Sequence, residues 1–497
     1  MSTNGAKPTR SVAVIGAGFG GVGTAVMLKR AGYDDVTVFE KGERIGGVWF
    51  HNTYPGAACD VQSTLYEFSF APNPRWSRRF APQAEIRAYI EHVARREGVF
   101  DRIKTGTEVE RAHWDEERGK WVLQTSAGEH EADVLVTACG QLSLPSVPPL
   151  PGLDSFEGPA FHTAEWRHDV ELKGKRVAVI GTGCSAIQTV PAIQPLVQQV
   201  DVYQRSPGWT LAKNDFEYRE RTKRLFERFP ILRRVDRAAT FAFLETATAA
   251  MTSRKWLLPL FRASARHQIN RAIKDPELRR KVTPTDELGC KRIMLTDDWY
   301  PTLTRPNVEL VTDRIAEITP AGIRTADGTE RPADVLILAT GFKSHAFVAP
   351  MQVVGPGGRT LDEEWQDVAR AYLGLSVPGF PNMFLLYGPN TNGGAVSIIY
   401  QLEAGIRHVI AALRELDGRG ADRIEVKRAT ADAFDRELRA ALADTVWHAG
   451  CTNWYVDENG NDPSQWPWQW TAYRRRTATL EPGAYELSAT ARAPVAS

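Results

Sequence analysis

Two stretches of this chain decide its fold: Val12-Ala-Val-Ile-Gly16-Ala-Gly18-Phe19-Gly-Gly21 and Val177-Ala-Val-Ile-Gly181-Thr182-Gly183-Cys184-Ser185-Ala186. In each stretch, apolar strand residues lead into a turn that needs glycine, and the residues that follow favour a helix. The N-terminus of such a helix binds a pyrophosphate through its free backbone N–H groups. A single glycine fingerprint is weak evidence. Two of them, each between a predicted strand and a predicted helix, indicate two dinucleotide sites.

The residue at the end of the second strand differs between these two units. The first unit ends at Glu40, whose carboxylate can accept hydrogen bonds from the hydroxyls of a ribose. The second unit ends at Arg205 and Ser206, where a guanidinium can pair with a 2′-phosphate instead. We therefore predict that the first site binds FAD and that the second site binds NADPH. This combination predicts a flavoenzyme that takes hydride from NADPH.

The rest of the chain is organised around these two units. The proline-rich stretch 144–151 marks a domain boundary, and residues 212–285 have the composition of helices. Residues 334–342 resemble residues 133–140, which suggests two crossings between the domains. We predict an α/β fold of two Rossmann-like dinucleotide-binding domains, for FAD and NADPH, with a helical insertion in the NADPH domain. The predicted ranges are 1–143 and 343–497 for the FAD domain, 152–211 and 289–338 for the NADPH domain, and 212–288 for the insertion.

The composition argues against several other classes of protein. Lys and Arg total 61 against 60 Asp and Glu, so the charge gives no reason to expect a nucleic acid or an acidic membrane as partner. No apolar run reaches the ~20 residues of a membrane span, and the start of the chain lacks the pattern of a signal segment. The 5 cysteines are scattered without a CxxC pair, which argues against a disulfide scaffold, a zinc site and a disulfide reductase. The chain is predicted to be cytoplasmic, with reduced cysteines, and its oligomeric state stays open.

Two further motifs accompany the glycine fingerprints. They are Gly46-Gly47-Val48-Trp49-Phe-His-Asn-Thr-Tyr-Pro-Gly-Ala-Ala-Cys-Asp60 and Phe156-Glu-Gly-Pro-Ala-Phe-His162-Thr-Ala-Glu-Trp166. They resemble the flavin-side and linker fingerprints of the type I Baeyer–Villiger monooxygenases, and the order of motifs along most of the chain fits that family. Arg167 departs from the family pattern, which usually has Pro or Asp at that position. The C-terminal residues 453–476 are similar to the hydroxyacetophenone monooxygenase branch.

The resemblance implies a reaction. In this family NADPH reduces FAD, the reduced flavin captures O2 as a C4a-peroxide, and the peroxide attacks a ketone, so that an ester or lactone forms. A small-molecule ketone and O2 are therefore the predicted partners. Two alternatives share the fold and the cofactors: a flavin monooxygenase that oxidises sulfur or nitrogen, and a member that consumes NADPH without oxygenating a substrate.

The resemblance also implies roles for four charged residues. Arg292 is the predicted stabiliser of the peroxyanion, because a guanidinium keeps its proton and offers several donors. Asp60 is predicted to pair with Arg292, although it could also cap a helix that follows it. Lys291 is predicted to point the other way and to share the 2′-phosphate with Arg205. The alternative for residues 291 and 292 is an ordinary basic pair at the start of a strand.

The remaining candidate residues come from the same resemblance. Ala395 and Val396 stand where many relatives have His-Asn, which indicates a changed wall beside the flavin. His162 lies on a linker and is predicted to control domain geometry rather than to transfer a proton. Further contacts to FAD are predicted at Gly47, Val48, Trp49, Tyr66, Val109, Thr391 and Ile398, and Trp454 is predicted to close over NADP.

Overall fold

The computed structural model describes residues 10–457 and 459–489 of the chain. The strands are β1 (Val12–Ile15), β2 (Val36–Phe39), β3 (Ile103–Lys104), β4 (Val109–Asp115), β5 (Lys120–Thr125), β6 (Gly128–Ala132), β7 (Val134–Thr137), β8 (Ala160–His162), β9 (Arg176–Ile180), β10 (Gln199–Tyr203), β11 (Thr210–Leu211), β12 (Met294–Leu295), β13 (Val308–Val311), β14 (Ile315–Thr319), β15 (Gly322–Thr325), β16 (Glu330–Pro332), β17 (Val335–Leu338), β18 (Gln352–Val354), β19 (Met383–Leu385), β20 (Arg423–Val426) and β21 (Tyr485–Ser488). The helices are α1 (Phe19–Arg30), α2 (Val48–His51), α3 (Gln83–Arg96), α4 (Ala186–Ile193), α5 (Glu220–Arg228), α6 (Pro230–Thr252), α7 (Leu258–Ala272), α8 (Pro276–Val282), α9 (Trp299–Leu303), α10 (Leu361–Trp365), α11 (Ile398–Arg419), α12 (Arg428–Ala443) and α13 (Trp470–Thr477).

The first fingerprint lies in a parallel sheet with the strand order β19-β7-β1-β2-β3. Val12 on β1 is paired with Val36 on β2 and with Val134 on β7. Alternate residues of β1 pack into two different apolar cores, and all four are buried. A central parallel strand with both faces covered needs a continuous apolar run, which explains the sequence of β1.

The second fingerprint lies in a matching parallel sheet with the order β13-β10-β9-β17-β8. Here β9 takes the place of β1, and its residues again alternate between two apolar cores. The first glycine of each fingerprint has the same conformation, with a φ of +100° at Gly16 and +112° at Gly181. A Cβ there would lie 2.6 Å from Ala138 O and 2.4 Å from Ala339 O respectively, so only glycine fits. The predicted α/β fold class with two Rossmann-like domains is confirmed.

Residues 133–140 and residues 334–342, whose sequences resemble each other, occupy equivalent places in the two sheets. Asp133 precedes β7 and accepts a hydrogen bond from Ser11 N at 2.7 Å, at the start of β1. Asp334 precedes β17 and accepts one from Arg176 N at 2.8 Å, at the start of β9. Each carboxylate therefore joins the start of one strand to the start of its neighbour, β7 to β1 in the first sheet and β17 to β9 in the second.

The two connections between the sheets run side by side. Ser146 N donates to Gly341 O at 2.9 Å, and Lys343 N donates to Leu144 O at 2.9 Å. The chain thus leaves the first sheet and returns to it through a pair of hydrogen-bonded segments. We refer to residues 144–146 and 341–343 as the paired linker.

Helices α5 to α8 form the insertion, between β11 and β12. Arg233 on α6 donates to Glu67 at 2.9 Å, and both side chains are nearly buried, so this ion pair anchors the insertion on the FAD side. The exact domain boundaries stay a prediction. Residues 1–9 and 490–497, which carry the ends of the predicted FAD domain and the polar start of the chain, lie outside the described residues.

The prediction of reduced cysteines is wrong for one pair. Cys290 and Cys451 form a disulfide across a sequence separation of 161, with their Cα atoms 6.3 Å apart. The other cysteines, Cys59, Cys139 and Cys184, are free thiols. The folded chain brings together two cysteines whose spacing matches no recognisable motif. Within the described ranges, no helix combines the length and the apolar character that crossing a bilayer requires.

Candidate active site

The flavin-side motif packs against α4, the helix of the second fingerprint. Gln188 on α4 donates to Ala58 O at 3.0 Å and accepts from Ala58 N at 3.3 Å. Tyr54 also donates to the Gln188 side chain, at 3.1 Å. At Gly56, φ is +83° and a Cβ would lie only 2.4 Å from Gln188 O. This contact places the two predicted dinucleotide sites next to each other.

Arg292 and Asp60 form an ion pair beside this contact. Arg292 Nη2 donates to Asp60 Oδ2 at 2.7 Å, and the side chains are 31% and 26% exposed, so the pair faces open space and not a sealed core. Burial alone would raise the pKa of Asp60, but the charge and the hydrogen bond of Arg292 outweigh it and lower that pKa below its usual value. The charge of Asp60 in turn raises the pKa of Arg292 well above its usual value. Both groups are therefore ionised at neutral pH.

The alternative role for Asp60, as the cap of a following helix, is wrong. The residues after Asp60 form turns, and the next helix along the chain is α3, which begins at Gln83. The alternative interpretation of Lys291 and Arg292, as an ordinary basic pair at the start of a strand, is also wrong in one respect, because β12 begins only at Met294. Lys291 and Arg292 lie in the irregular segment before that strand.

Lys291 and Arg292 contact different partners. Lys291 Nζ donates to Ser206 Oγ at 3.0 Å and to Asp286 Oδ2 at 2.5 Å. Arg205 is exposed and makes no hydrogen bond or ion pair with any residue in the described ranges. The cluster of Arg205, Ser206 and Lys291 sits at the end of β10, where a Rossmann fold holds the ribose of its dinucleotide. Asp286 was not anticipated from the sequence, because an isolated acid in a loop carries no signal.

The FAD-side residues form a second cluster at the end of β2. The Glu40 carboxylate accepts backbone hydrogen bonds from Ala17 and Gly42, each at 2.8 Å. Each of its oxygens keeps a second lone pair for a ribose hydroxyl. Gly47 approaches Gly18 so closely that a Cβ on Gly47 would lie 3.0 Å from Gly18 Cα, which brings the flavin-side motif onto the fingerprint.

The other predicted FAD contacts have different surroundings. Trp49 Nε1 donates to Tyr66 Oη at 3.1 Å, and Val48 is the first residue of α2. Val109 begins β4 and packs in the apolar core that also contains Ile15 and Phe39. Val109 is therefore a buried core residue, and its contact with FAD stays a prediction.

The segment before α11 lies near the Arg292–Asp60 pair, since both charges act on Tyr387. Thr391 is fully buried and donates to Gly388 O at 2.6 Å, and Ile398 is the first residue of α11. Tyr387 donates to Asn392 Oδ1 at 3.0 Å. Burial raises the pKa of Tyr387 to about 12, while the nearby charge of Arg292 lowers it. Tyr387 is therefore a site residue that no sequence motif indicated.

Trp454 and His162 lie at the borders of the site. Trp454 is partly buried, and its ring is 4.7 Å from that of Tyr455. His162 is 2% exposed, its Nδ1 accepts from Ala164 N at 3.1 Å, and its ring meets Phe342 edge-on at 5.6 Å. Burial lowers the pKa of His162, so the ring is neutral at neutral pH. The prediction that His162 lies on a linker is wrong, since His162 is the last residue of β8, but its ring contacts Phe342 of the paired linker. A role of His162 in domain geometry stays a prediction.

The residues present fit two dinucleotides. Neither α1 nor α4 has an acidic residue in its first turn or a side chain that caps its N-terminus, so the backbone N–H groups there are available to an anion. A Cβ at Gly183 would have no atom within 4 Å, which shows that the backbone of the second fingerprint faces open space. Glu40 suits a free ribose, and the basic cluster at Arg205 suits a phosphorylated one.

Comparisons with known proteins agree with this geometry. A family model described as "Pyridine nucleotide-disulphide oxidoreductase" matches residues 13–229. A Baeyer-Villiger monooxygenase from Pseudomonas aeruginosa is 41% identical over 482 residues, which are 96% of this chain and 92% of that protein. The structure of an oxidized steroid monooxygenase bound to NADP has a TM-score of 0.86 at 31% identity, covering 97% of this chain and 99% of that one. The complex of OTEMO with FAD and NADP has a TM-score of 0.85 at 25% identity, covering 97% and 100%.

The fold and the site define a monooxygenase that uses FAD and NADPH. The similarity to the Pseudomonas protein extends over nearly the whole length of both chains. The chain belongs to the type I Baeyer–Villiger monooxygenases.

Proposed function

We propose that Arg292, held in place by Asp60, stabilises the negative charge that develops while this monooxygenase inserts one atom of O2 beside a ketone carbonyl. The product is an ester or a lactone. The observation that carries the proposal is the 2.7 Å ion pair between Arg292 and Asp60, which lies beside the contact between the two dinucleotide sites. FAD, when bound and reduced by NADPH, supplies the oxygen-activating chemistry.

Asp60 acts on Arg292 and not on the substrate in this proposal. It accepts one donor of the guanidinium, which has five N–H groups, so that the others stay available to an anion. Because the pKa of Asp60 lies below its usual value, the carboxylate stays charged and keeps Arg292 in one orientation. A preorganised cation costs no reorganisation when charge develops, and this makes it effective in a partly dry site.

The NADPH side of the proposal assigns the 2′-phosphate to Arg205, Lys291 and Ser206. Lys291 Nζ lies 3.0 Å from Ser206 Oγ. Arg205, which is exposed, directly precedes Ser206 just after the end of β10. Asp286 holds Lys291 at 2.5 Å and keeps its ammonium turned away from Arg292. The two adjacent basic residues 291 and 292 thereby serve two different anions.

The substrate is proposed to be an uncharged ketone, and an aryl ketone fits best. The residues Ala395 and Val396 are apolar and partly buried, and they precede α11. Tyr400 lies four residues after Val396, and its ring is 4.6 Å from that of Phe241 on α6, which offers an aromatic surface near that wall. This surface and the C-terminal resemblance of residues 453–476 support placement in the hydroxyacetophenone monooxygenase branch.

The test is oxygenation under labelled O2. The purified yellow protein is reduced with NADPH without air and then exposed to 18O2 with aryl, cyclic or long-chain ketones, or with matched sulfides. We expect an ester that carries one 18O atom, formed fastest from aryl ketones. Sulfoxide formation without any ester would refute the proposed reaction, and a preference for long-chain ketones would refute the branch assignment.

A cytoplasmic location is part of the same proposal, because cells regenerate NADPH in the cytoplasm. Fractionation of the producing cells with an antibody against the protein checks it. Recovery of the protein with the membrane fraction would contradict it.

A further inference from the structure

We propose that the Cys290–Cys451 disulfide positions residues 449–457, the Trp454 loop, against Lys291 and Arg292, and that reduction of the disulfide releases this loop. The disulfide is then a redox-sensitive clasp on the NADP side of the site. The inference rests on the roles proposed above for Lys291 and Arg292. It starts from the position of the bond: Cys290 directly precedes Lys291, and Cys451 lies three residues before Trp454.

The Cys290 side of the clasp is firmly held. Cys290 is fully buried, and its N–H donates to Glu287 O at 3.1 Å. A Cβ at the preceding Gly289 would lie 3.0 Å from Met251 Cγ on α6, which shows how closely the turn packs against the insertion. Asp286 O accepts from Trp209 Nε1 at 2.8 Å. This end of the bond therefore belongs to a rigid part of the protein.

The Trp454 loop is organised mainly by its own residues. Asn453 Oδ1 accepts from Tyr455 N at 2.9 Å and from Val456 N at 3.0 Å. Outside the loop, Ser344 Oγ donates to Trp454 O at 3.1 Å, and His345 forms hydrogen bonds with the backbone of Trp454 and Tyr455. These hydrogen bonds tie the loop to residues 344 and 345, and the disulfide joins it covalently to the segment that carries Lys291 and Arg292.

The loop brings two aromatic rings to the site. Tyr455 is fully buried, and burial raises the pKa of its hydroxyl while the charge of Arg292 lowers it, so the ring lies within reach of that charge. Trp454 packs on Tyr455 with ring centroids 4.7 Å apart. Displacement of the loop would therefore uncover more of the Arg292 side chain and remove Trp454 from the NADP side.

Reduction of the clasp has a simple chemical course. Cys451 is partly exposed and Cys290 is not, so a thiolate of a dithiol attacks Cys451 Sγ. The S–S bond breaks, and Cys290 leaves as a thiolate that takes a proton from water. The second thiol of the reagent then closes a cyclic disulfide and frees Cys451. Two electrons pass from the dithiol to the protein. Disulfides in a reducing compartment are usually transient, which suits a bond that opens and closes.

The first test counts thiols and measures loop opening. Of the 5 cysteines, 3 are free in the structure, so denatured protein prepared without reductant should react as three thiols, and as five after dithiothreitol. Hydrogen exchange of the amides of residues 449–457 should speed up after reduction. Neither measurement requires catalysis.

The second test measures NADP+ binding and peroxide release. If reduction lowers the population of the closed loop to about one tenth, the Kd for NADP+ rises about tenfold. H2O2 released per NADPH consumed should rise as well. Cys290→Ser and Cys451→Ser should match the reduced wild type and should no longer respond to dithiothreitol, which controls for effects on the other thiols. Reoxidation of the wild type with glutathione disulfide should restore tight binding.

The outcomes separate this inference from the proposed function. Five free thiols in protein prepared without reductant overturn the clasp, and so do an unchanged exchange rate and an unchanged Kd after reduction. If reduction weakens NADP+ binding and no ketone yields an ester, the clasp stands and the proposed function fails. Wild-type binding and exchange in Cys451→Ser would also overturn the clasp.

Discussion

Replacing Arg292 with Ala separates hydride transfer from oxygenation. Hydride transfer from NADPH to the flavin needs no anion-stabilising cation, whereas the transfer of oxygen to a ketone does. Loss of one preorganised donor typically costs ~10²–10³ in rate, or about 2.7–4 kcal/mol of transition-state stabilisation. The variant also leaves the Asp60 carboxylate without its ion-pair partner, because burial raises the pKa of Asp60 and Arg292 is the main group that opposes this effect.

The assay compares two steps in one preparation. Stopped-flow absorbance under argon measures reduction of the flavin by NADPH, and gas chromatography measures ester formed per NADPH in air. We expect Arg292→Ala to keep near-normal flavin reduction and to lose ester formation by at least ~10²-fold. Arg324→Ala is the matched control, since Arg324 also forms an ion pair, with Glu330 at 2.9 Å, on the exposed hairpin of β15 and β16.

Two results would refute this reasoning. Ester formation at the wild-type rate would remove Arg292 from the mechanism. Flavin reduction that falls by the same factor as ester formation would show that Arg292 supports NADPH binding or folding. Asp60→Asn in the Arg292→Ala background should add little further loss, because Asp60 acts through Arg292.

Three further predictions concern other parts of the protein. Arg205→Ala should raise the KM for NADPH at least ~10-fold and leave that for NADH unchanged, since a hydrogen bond to a charged group is worth about 1.5–3 kcal/mol; equal losses for both would make Arg205 a packing residue. His162→Ala should slow flavin reduction and ester formation together without changing the shape of the pH–rate curve; loss of one limb of that curve would make His162 an acid–base group. Burial raises the pKa of Asp462 from 3.8 to about 7, so the native state holds a proton that the unfolded state releases, and wild-type stability should fall as the pH rises across that window. Asp462→Asn should flatten this dependence in urea unfolding at several pH values, and an unchanged slope would show that Asp462 is ionised throughout.

The parts of the fold that local sequence could predict are those built from neighbouring residues. The strand, the glycine turn and the helix of each fingerprint lie within about 30 residues, so their pattern is visible without the rest of the chain. The ion pair of Asp60 with Arg292 was suggested only by the family resemblance. Its partners are 232 residues apart, and no periodicity connects them.

The residues that the sequence did not reveal depend on contacts between distant segments. Gln188 is an ordinary polar residue on α4 until Ala58 is packed against it. Tyr387 becomes a site residue only because the turn before α11 meets Arg292. The disulfide was missed for the same reason, as the two cysteines are 161 positions apart. Spacing rules for cysteine motifs describe short intervals and carry no information at that range.

The paired linker bears on how such a protein arose. Its two segments hydrogen-bond to each other, so the chain enters and leaves the NADPH unit at nearly the same point. A unit whose ends meet can be inserted into another unit without pulling apart the host sheet. Excision of residues 147–340 and their replacement by a short turn would leave β7 and β19 still able to flank each other in the host sheet. The architecture is therefore that of one nucleotide-binding module inserted into another, and each module can diverge while the junction stays the same.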